Sequence, residues 1–286
     1  MAPEATPAGL IDDAAIRIAA ALGLDKREAR LEARVLASFA WGVNPAWLVA
    51  HDTDALTEAQ AAQFASLLAR RLSGEPVAYL TGMREFYGRG FEVSPDVLIP
   101  RPETELLVEQ ALARMPAGEA VKVLDLGTGS GCIAITLALE RPRAQVTGVD
   151  RSAAALGVAR RNADRLGARV EFLESDWFAA VDGRRFDLIV SNPPYVAAGD
   201  PHLTRGDVRF EPVGALASGA DGLHDLRRLA TAASAHLAHG GTLLLEHGYD
   251  QAEAVQALLR EAGFRDIESW RDLGGVLRVS GGRLRE

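Results

Sequence analysis

The chain has 286 residues, 48% of them hydrophobic and 24% charged, which is ordinary for a globular protein and long enough for two domains. Its formal net charge of −8 argues against duplex nucleic acid as the main partner, because proteins with that partner usually carry a basic surface. A single cysteine, Cys132, excludes an internal disulfide. The sequence shows neither a membrane span of ~20 apolar residues nor a signal peptide, so we expect a cytoplasmic protein.

Residues 1–84 are predicted to form a small helical domain. Apolar residues recur at helical spacing between about residues 10 and 72, and no strand pattern interrupts them. Thr57 and Gln60 form a capping-box pattern before one of these helices, and Ser73-Gly74 ends it. These patterns predict the fold of the domain and leave its role open.

Residues 85–120 are predicted to connect this domain to the rest of the chain. Residues 86–93 contain two glycines between extended, aromatic-rich stretches, which indicates a β-hairpin with a glycine turn. Residues 104–114 should follow as a helix with Glu105 and Glu109 on one face.

Residues 121–286 alternate between short apolar strands and helical segments, which predicts a parallel α/β sheet. The predicted strands are residues 121–126, 145–149, 170–174, 186–190, 242–246, 264–270 and 276–280. The predicted helices are residues 131–140, 153–166, 223–236 and 251–261. The link between the last two strands is too short for a parallel crossover, so these two strands should be antiparallel.

A glycine-rich loop joins the first strand of this sheet to the helix that follows. Glycines let the chain turn tightly and let a ligand approach the backbone, and the start of a helix offers free N–H groups. The third glycine comes one residue too early for the dinucleotide fingerprint. The residues of this segment that we assign to cofactor binding are Asp125, Leu126, Gly127, Thr128, Gly129 and Gly131.

Two further strand ends carry residues suited to a nucleoside. Asp150 ends the second strand, where a carboxylate can accept both hydroxyls of a ribose. Asp176 and Trp177 follow the third strand and could bond the edge and cover the face of an adenine. A cationic sulfonium and an amino acid end would suit Asp125 and the glycine loop, so the set favours S-adenosyl-L-methionine over NAD. The structural alternative is three ordinary strand-end turns, where aspartate is common.

The tetrapeptide Asn192-Pro193-Pro194-Tyr195 follows the strand at 186–190. Its prolines restrict the backbone, and the Asn192 side-chain oxygen and the Pro193 carbonyl are two acceptors that match the two hydrogens of an NH2 group. Tyr195 adds a flat face for a planar target. We assign catalysis to Asn192, Pro193 and Tyr195, substrate contact to all four residues, and cofactor contact to Asn192 as well. The alternative is a Pro-Pro turn that closes a strand.

Several blocks of this sequence together resemble the PrmC/HemK family of methyltransferases. They are residues 75–82 (EPVAYLTG), 85–88 (EFYG), 98–105 (LIPRPETE), 125–131, 192–195, and 211–216 (EPVGAL) with 221–223. The block at 98–105 is far more specific than the NPPY tetrapeptide, which recurs in other amino methyltransferases. Two positions depart from the family pattern, because Phe210 stands where a tyrosine is expected and residues 280–282 (SGG) make an unusual end.

The resemblance implies a Rossmann-like class I methyltransferase sheet of seven strands with the last strand antiparallel. It also implies methyl transfer from S-adenosyl-L-methionine to the side-chain nitrogen (N5) of the glutamine in the Gly-Gly-Gln loop of peptide chain release factors. Arg101 and Glu103 would line the entrance for cofactor or substrate, although a salt bridge within the connector fits them equally well. Because the α/β part already holds cofactor and target, we expect the helical domain to dock the release factor.

Two related functions would use the same chemistry. One is methylation of a glutamine in a ribosomal protein, and the other is methylation of an exocyclic amine in nucleic acid, such as adenine N6. The nucleic-acid enzyme would need a basic cleft and a way to extrude the base, which the acidic balance of the chain disfavours. A non-catalytic binding protein would have no need for the intact tetrapeptide and glycine loop.

Some polar residues receive structural interpretations. His236 and His239 are three residues apart but should lie in the last turn of a helix before two glycines, so we expect no metal site there. Cys132 should be a buried filler behind the glycine loop. Glu246 and His247, at the end of the fifth strand of the sheet, are expected to be structural.

Overall fold

Helices build the N-terminal part of the chain, in a computed structural model that describes residues 5–284. They are α1 (Pro7–Leu22), α2 (Lys26–Trp41), α3 (Pro45–Ala50), α4 (Glu58–Leu72) and α5 (Val77–Thr81). The first four begin at a polar side chain that accepts a free N–H of the helix. These N-cap residues are Thr6, Asp25, Asn44 and Thr57. The predicted capping box of Thr57 and Gln60 is confirmed, and the apolar helix faces meet in a core that includes Ile18, Leu36 and Phe64.

Residues 204–210 lie inside the predicted methyltransferase domain, yet they pack in this helical unit. Their partner is Arg71, whose side chain is only 3% exposed and which donates to carboxylates of Glu32 and Asp207, each at 2.8 Å. A buried cation is costly without partners, so the carboxylate of Asp207 offsets part of the cost of burying Arg71. This long-range ion pair explains why the segment leaves the predicted domain.

The predicted β-hairpin is present, and it begins the second unit. Strands β1 (Met83–Phe86) and β2 (Arg89–Glu92) pair antiparallel. Tyr87 and Gly88 both have positive φ, as a two-residue hairpin turn of type I′ requires. The Tyr87 N–H donates to the carboxylate of Glu105 at 2.8 Å, which ties the hairpin to α6 (Glu105–Leu112).

A seven-stranded sheet follows. Its strands are β3 (Lys122–Leu126), β4 (Gln145–Asp150), β5 (Val170–Glu174), β6 (Phe186–Ser191), β7 (Leu237–Glu246), β8 (Phe264–Arg271) and β9 (Leu277–Leu284). The helices of this region are α7 (Cys132–Glu140), α8 (Ala153–Leu166), α9 (His224–Ala233) and α10 (Ala252–Glu261). The strand order is β5-β4-β3-β6-β7-β9-β8, and β9 is antiparallel to both of its neighbours. The predicted fold class is therefore confirmed.

Both faces of this sheet are covered, as expected for a sheet with a parallel centre. Val123 belongs to one buried cluster together with Ile135, whereas its neighbour Leu124 belongs to a second cluster together with Leu229 and Val255. Among residues 5–284, no helix has the length and apolar character needed to cross a membrane.

The end of α9 and the start of β7 differ from the prediction. The helix ends at Ala233, and His236 and His239 lie after it, so neither belongs to its last turn. The backbone instead joins the sheet early, because the His236 carbonyl accepts the N–H of Phe186 at 2.9 Å. His236 is buried and stacks on Phe178 with 4.5 Å between ring centroids, whereas His239 is exposed. The part of the chain that the structure describes holds no cluster of three potential metal ligands.

The Arg71 ion pairs give a stability prediction. We expect Arg71→Met to lower the free energy of unfolding by about 3 kcal/mol, because it leaves the carboxylates of Glu32 and Asp207 without their buried partner. Arg70→Met is the matched control, since Arg70 pairs with Glu75 while 51% of its side chain is exposed, and it should cost less than about 1 kcal/mol. Urea unfolding followed by circular dichroism measures both, and equal losses would contradict the interpretation.

Candidate active site

The carboxyl edge of the central strands brings two of the predicted segments together. Strands β3 and β6 are parallel, and Leu126 pairs with Ser191 at their ends. The Ser191 hydroxyl donates to the Leu126 carbonyl at 2.7 Å within the core. The glycine loop and the Asn192 tetrapeptide therefore leave the sheet side by side.

A cavity of about 310 Å³ lies at this edge. The predicted site residues that line it are Gly127, Gly129, Asp150, Asp176, Trp177, Asn192 and Pro194. Residues 96–98 of the connector and 212–217 after the tetrapeptide form further parts of its wall. The other predicted cofactor residues are absent from the wall; they are Asp125, Leu126, Thr128 and Gly131. Of the predicted substrate and catalytic residues, Pro193, Tyr195, Arg101 and Glu103 are absent from it as well.

The Asp150 carboxylate is held by backbone groups. Its Oδ2 accepts the N–H of Gly129 and its Oδ1 accepts the N–H of Ser152, both at 2.9 Å. A carboxylate has about four acceptor positions, so two remain for ligand hydroxyls. The geometry fits the predicted contact with a ribose.

The glycine loop leaves room for a ligand. Gly129 has φ of +55°, and a Cβ built there would meet no protein atom within 4 Å, so a side chain would occupy open space beside the cavity. Gly131 has the opposite role, because a Cβ there would lie 2.8 Å from Ile135. A Cβ there would also lie 3.2 Å from Ala159, so this glycine allows close packing against α8, and it does not line the cavity.

Trp177 and Asp176 contribute differently to the wall. Trp177 has a positive φ of 53°, and its carbonyl accepts the hydroxyl of Ser175 at 2.8 Å. Its ring lies 3.4 Å from the position of a Cβ on Gly127, which places it beside the glycine loop. Asp176 is exposed and pairs with Arg228 at 3.1 Å. A ligand that bonds the Asp176 carboxylate would therefore share this carboxylate with the Arg228 guanidinium.

Asp125 lies below the loop in the core. Thr128 donates its hydroxyl to Asp125 Oδ2 at 2.6 Å, while Oδ1 is buried without a hydrogen-bond partner among the described residues. Burial raises the pKa of this carboxyl to about 7. Because Asp125 does not line the cavity, its contact with a cationic group stays a prediction.

The tetrapeptide presents Asn192 and Pro194 to the cavity and turns Tyr195 away from it. The Asn192 Nδ2 donates to Thr104 Oγ1 at 3.2 Å, so the amide oxygen is the atom left to accept from a substrate. The Tyr195 ring packs against the buried core, with its hydroxyl 3.5 Å from Glu246. Burial raises the pKa of the Tyr195 hydroxyl well above its ordinary value. In this arrangement the ring does not offer the flat face that the sequence suggested.

Arg101 forms a salt bridge, but its partner lies outside the connector, unlike the salt bridge considered as its alternative role. Its guanidinium donates to Glu211, whose side chain is fully buried and also accepts the N–H of Ile99 at 3.0 Å. Glu211 thereby joins the two segments that wall the cavity at 96–98 and 212–217. Glu103 is exposed.

Sequence patterns missed three of these residues. Glu211 and Thr104 stand inside the blocks that carry the family resemblance, but their partners lie far away in the chain. Glu246 was expected to be structural, and it is buried beside Tyr195. A charged residue within an otherwise apolar strand end is the signal that could have identified it.

Comparison with known proteins places this chain in a family. A family model described as "PrmC N-terminal domain" matches residues 13–82, and one described as "Methyltransferase small domain" matches residues 102–206. The release factor glutamine methyltransferase of Bordetella pertussis is 57% identical over 256 residues, which is 89% of this chain and 95% of the relative. The chain belongs to the release factor glutamine methyltransferase family.

A second relative agrees with this assignment, and a solved structure shares the fold. The release factor glutamine methyltransferase of Burkholderia pseudomallei is 54% identical over 89% of this chain and 92% of its own length. A solved methyltransferase of Pyrococcus furiosus has a TM-score of 0.54 at 18% identity, over 78% of this chain and all of that one, and it shares the fold. The resemblance that the sequence blocks carry is confirmed.

Asp125 should make stability depend on pH. The raised pKa means that the folded chain binds this proton more tightly than the unfolded chain, in which the ordinary value is 3.8. The stabilising contribution is therefore complete below about pH 4 and is lost as pH rises through about 7. The side chain of Asp125→Asn cannot titrate. The free energy of unfolding of this variant minus that of the native chain should therefore rise with pH between about 4 and 7, by up to about 1.4 kcal/mol per pH unit.

Urea unfolding at a series of pH values, without added cofactor, measures this difference. Asp176→Asn is the control, because it makes the same substitution at an exposed carboxylate. A flat difference for Asp125→Asn would show that the carboxyl does not carry the raised pKa.

Proposed function

We propose that this chain transfers a methyl group from S-adenosyl-L-methionine to the side-chain nitrogen (N5) of the glutamine in the Gly-Gly-Gln loop of a peptide chain release factor. The observation that carries the proposal is the placement of Asn192. It stands at the wall of the cavity with its NH2 group bonded to Thr104, so that its oxygen can accept from a substrate amide. The names of the relatives support the choice of substrate.

The residues around the cavity fit the proposed methyl donor. Asp150 can accept the ribose hydroxyls, Trp177 can cover the adenine, and Gly129 leaves open space for close approach of the ligand. The unsatisfied oxygen of Asp125 suits the amino acid end. When bound, S-adenosyl-L-methionine supplies an electrophilic methyl group on a positively charged sulfur.

The chain's own contribution is orientation of a weak nucleophile. Asn192 Oδ1 and the Pro193 carbonyl would each accept one N–H of the glutamine amide and so fix its nitrogen towards the cofactor. Orientation of this kind supplies part of the ~7–11 kcal/mol available from ideal proximity. The amide hydrogens become more acidic as the nitrogen is alkylated, so both acceptors bind more strongly in the transition state than in the ground state. The released proton goes to water.

Other residues serve the substrate indirectly. Pro194 lines the cavity beside Asn192 and offers an apolar wall for the glutamine methylene groups. Arg101 acts through Glu211 by holding the segment 212–217 in place. Tyr195 supports the tetrapeptide from the core, because its carbonyl also accepts from Gln251 at 3.0 Å. Glu103 is exposed in the same connector and is available to the substrate. The helical unit would dock the release factor.

Asn192→Ala separates the proposed chemistry from cofactor binding. With labelled S-adenosyl-L-methionine, the native chain should label a release factor and leave DNA unlabelled. In Asn192→Ala, transfer should fall by about 100-fold or more, because the amide nitrogen is no longer oriented. The dissociation constant for S-adenosylhomocysteine, measured by calorimetry, should change by less than about threefold, since Asp150 and the glycine loop remain.

Two results would contradict the proposal. Label on DNA and none on the release factor would identify a nucleic-acid methyltransferase. Loss of S-adenosylhomocysteine binding in Asn192→Ala would mean that this residue holds the cofactor and does not orient the substrate.

A further inference from the structure

The peptide group that joins Tyr195 to Val196 is held at both of its polar atoms. Its carbonyl, on Tyr195, accepts the side-chain Nε2–H of Gln251 at 3.0 Å. Its N–H, on Val196, donates to the carbonyl of Leu216 at 2.9 Å, within the segment 212–217 that walls the cavity. A peptide group is planar, so two bonds on its opposite sides fix the direction of its plane.

The Gln251 amide has a single orientation that satisfies both of its neighbours. Its oxygen accepts the N–H of Gly248 at 2.8 Å, and its NH2 group donates to the Tyr195 carbonyl. A backbone N–H can only donate and a backbone carbonyl can only accept, so a half-turn of the amide would break both bonds. Gln251 immediately precedes the helix α10, and it therefore ties the end of the tetrapeptide to the start of that helix.

Gly222 makes room for this contact. It has φ of +73°, and a Cβ built there would overlap the Tyr195 carbonyl oxygen and lie 2.9 Å from Gln251 Nε2. A side chain at this position would therefore push the carbonyl, the amide or both away. Gly222 stands in the block 221–223 that carries part of the family resemblance, and this close approach gives a physical reason for a glycine there.

The other end of the tetrapeptide is held by the sheet. The Ser191 hydroxyl bonds the Leu126 carbonyl, and β6 pairs with β3 up to Ser191. Between this anchor and the peptide group after the tetrapeptide, proline rings fix φ at Pro193 and Pro194, and each residue before a proline is restricted too. Few torsions remain by which the backbone of the tetrapeptide could move.

We propose that Gln251, with Gly222 beside it, is the positioning residue that holds the backbone of the tetrapeptide, so that Asn192 stays at the wall of the cavity and the Pro193 carbonyl stays next to it. Gln251 does not line the cavity, so it acts through the peptide group after Tyr195. Its effect on catalysis rests on the function proposed above, whereas its restraint on the backbone does not.

Gln251→Glu and Gln256→Glu form a matched pair for the test. Gln256 lies on the same helix, is half-buried like Gln251, and donates its Nε2–H at 2.8 Å to Ser269 on β8, at the edge of the sheet. Glutamate keeps the length and the acceptor oxygen of glutamine but cannot donate when it is ionised. In Gln251→Glu a carboxylate oxygen would therefore face the Tyr195 carbonyl and repel it.

In Gln251→Glu we expect kcat for methylation of a release factor to fall about 10- to 100-fold, because the acceptors for the substrate amide lose their fixed position. KM for the release factor and the dissociation constant for S-adenosylhomocysteine should stay within about threefold. Gln256→Glu should keep kcat within about twofold of the native value. An equal loss of kcat in both variants, or a loss of affinity with kcat unchanged, would overturn the proposal.

Gly222→Ala tests the same contact from the other side. Alanine there adds strain at a positive φ and a clash with the Tyr195 carbonyl. Gly183→Ala is the control, because Gly183 has nearly the same φ, +72°, and a Cβ there would meet no atom of the described residues within 4 Å. We expect Gly222→Ala to lower kcat at least as much as Gln251→Glu, and Gly183→Ala to leave it within about twofold. Equal kcat values in the two alanine variants would contradict the role of the contact.

A second readout does not need activity. Hydrogen exchange followed by mass spectrometry on the full chain reports the N–H of Val196 in the segment 192–198, where the two prolines have no exchangeable amide. In Gln251→Glu this segment should exchange about fivefold faster or more, because the peptide group is then held on one side only. In Gln256→Glu it should keep its native rate.

The two readouts separate the two proposals. A native chain that methylates no release factor, but whose segment 192–198 exchanges faster in Gln251→Glu as described, overturns the proposed function and supports the restraint by Gln251. Unchanged exchange in Gln251→Glu overturns the restraint, and faster exchange with an unchanged kcat overturns the positioning role. Both of these results leave the proposed function intact.

Discussion

The pairing of β3 with β6 is the constraint on which the rest of the site depends. The two strands run parallel, and the bond from the Ser191 hydroxyl to the Leu126 carbonyl fixes their ends at one level. The glycine loop begins one residue after Leu126, and Asn192 comes one residue after Ser191. Backbone pairing in the core therefore sets the separation between the cofactor loop and the acceptor for the substrate amide.

Buried carboxylates then hold the parts that the sheet cannot position. Glu211 joins two walls of the cavity through Ile99 and Arg101, Glu246 is buried beside Tyr195, and Asp125 lies under the glycine loop. Burial of a carboxylate is costly, and it raises the pKa of both Asp125 and Glu246. Such groups cluster at functional sites, where their orientation outweighs their cost in stability.

The sequence predicted the features that depend on local patterns. Strand and helix alternation, the hairpin turn and the two loop motifs all follow from spacing within short windows, and the structure agrees with them. Contacts between distant segments could not be predicted, such as Arg71 with Asp207, 136 positions apart, or Thr104 with Asn192, 88 positions apart. The predicted end of the helix near His236 was wrong for the same reason, because the backbone of His236 pairs with β6 and so belongs to the sheet.

The central claim is that this arrangement orients a glutamine amide of a release factor for methylation. Tandem mass spectrometry of a release factor incubated with the full chain and S-adenosyl-L-methionine tests it most directly. The account predicts a single added methyl group on the side-chain nitrogen of the glutamine in the Gly-Gly-Gln loop. A methyl group on another residue, or an unmodified loop after incubation with cofactor-binding protein, would contradict it.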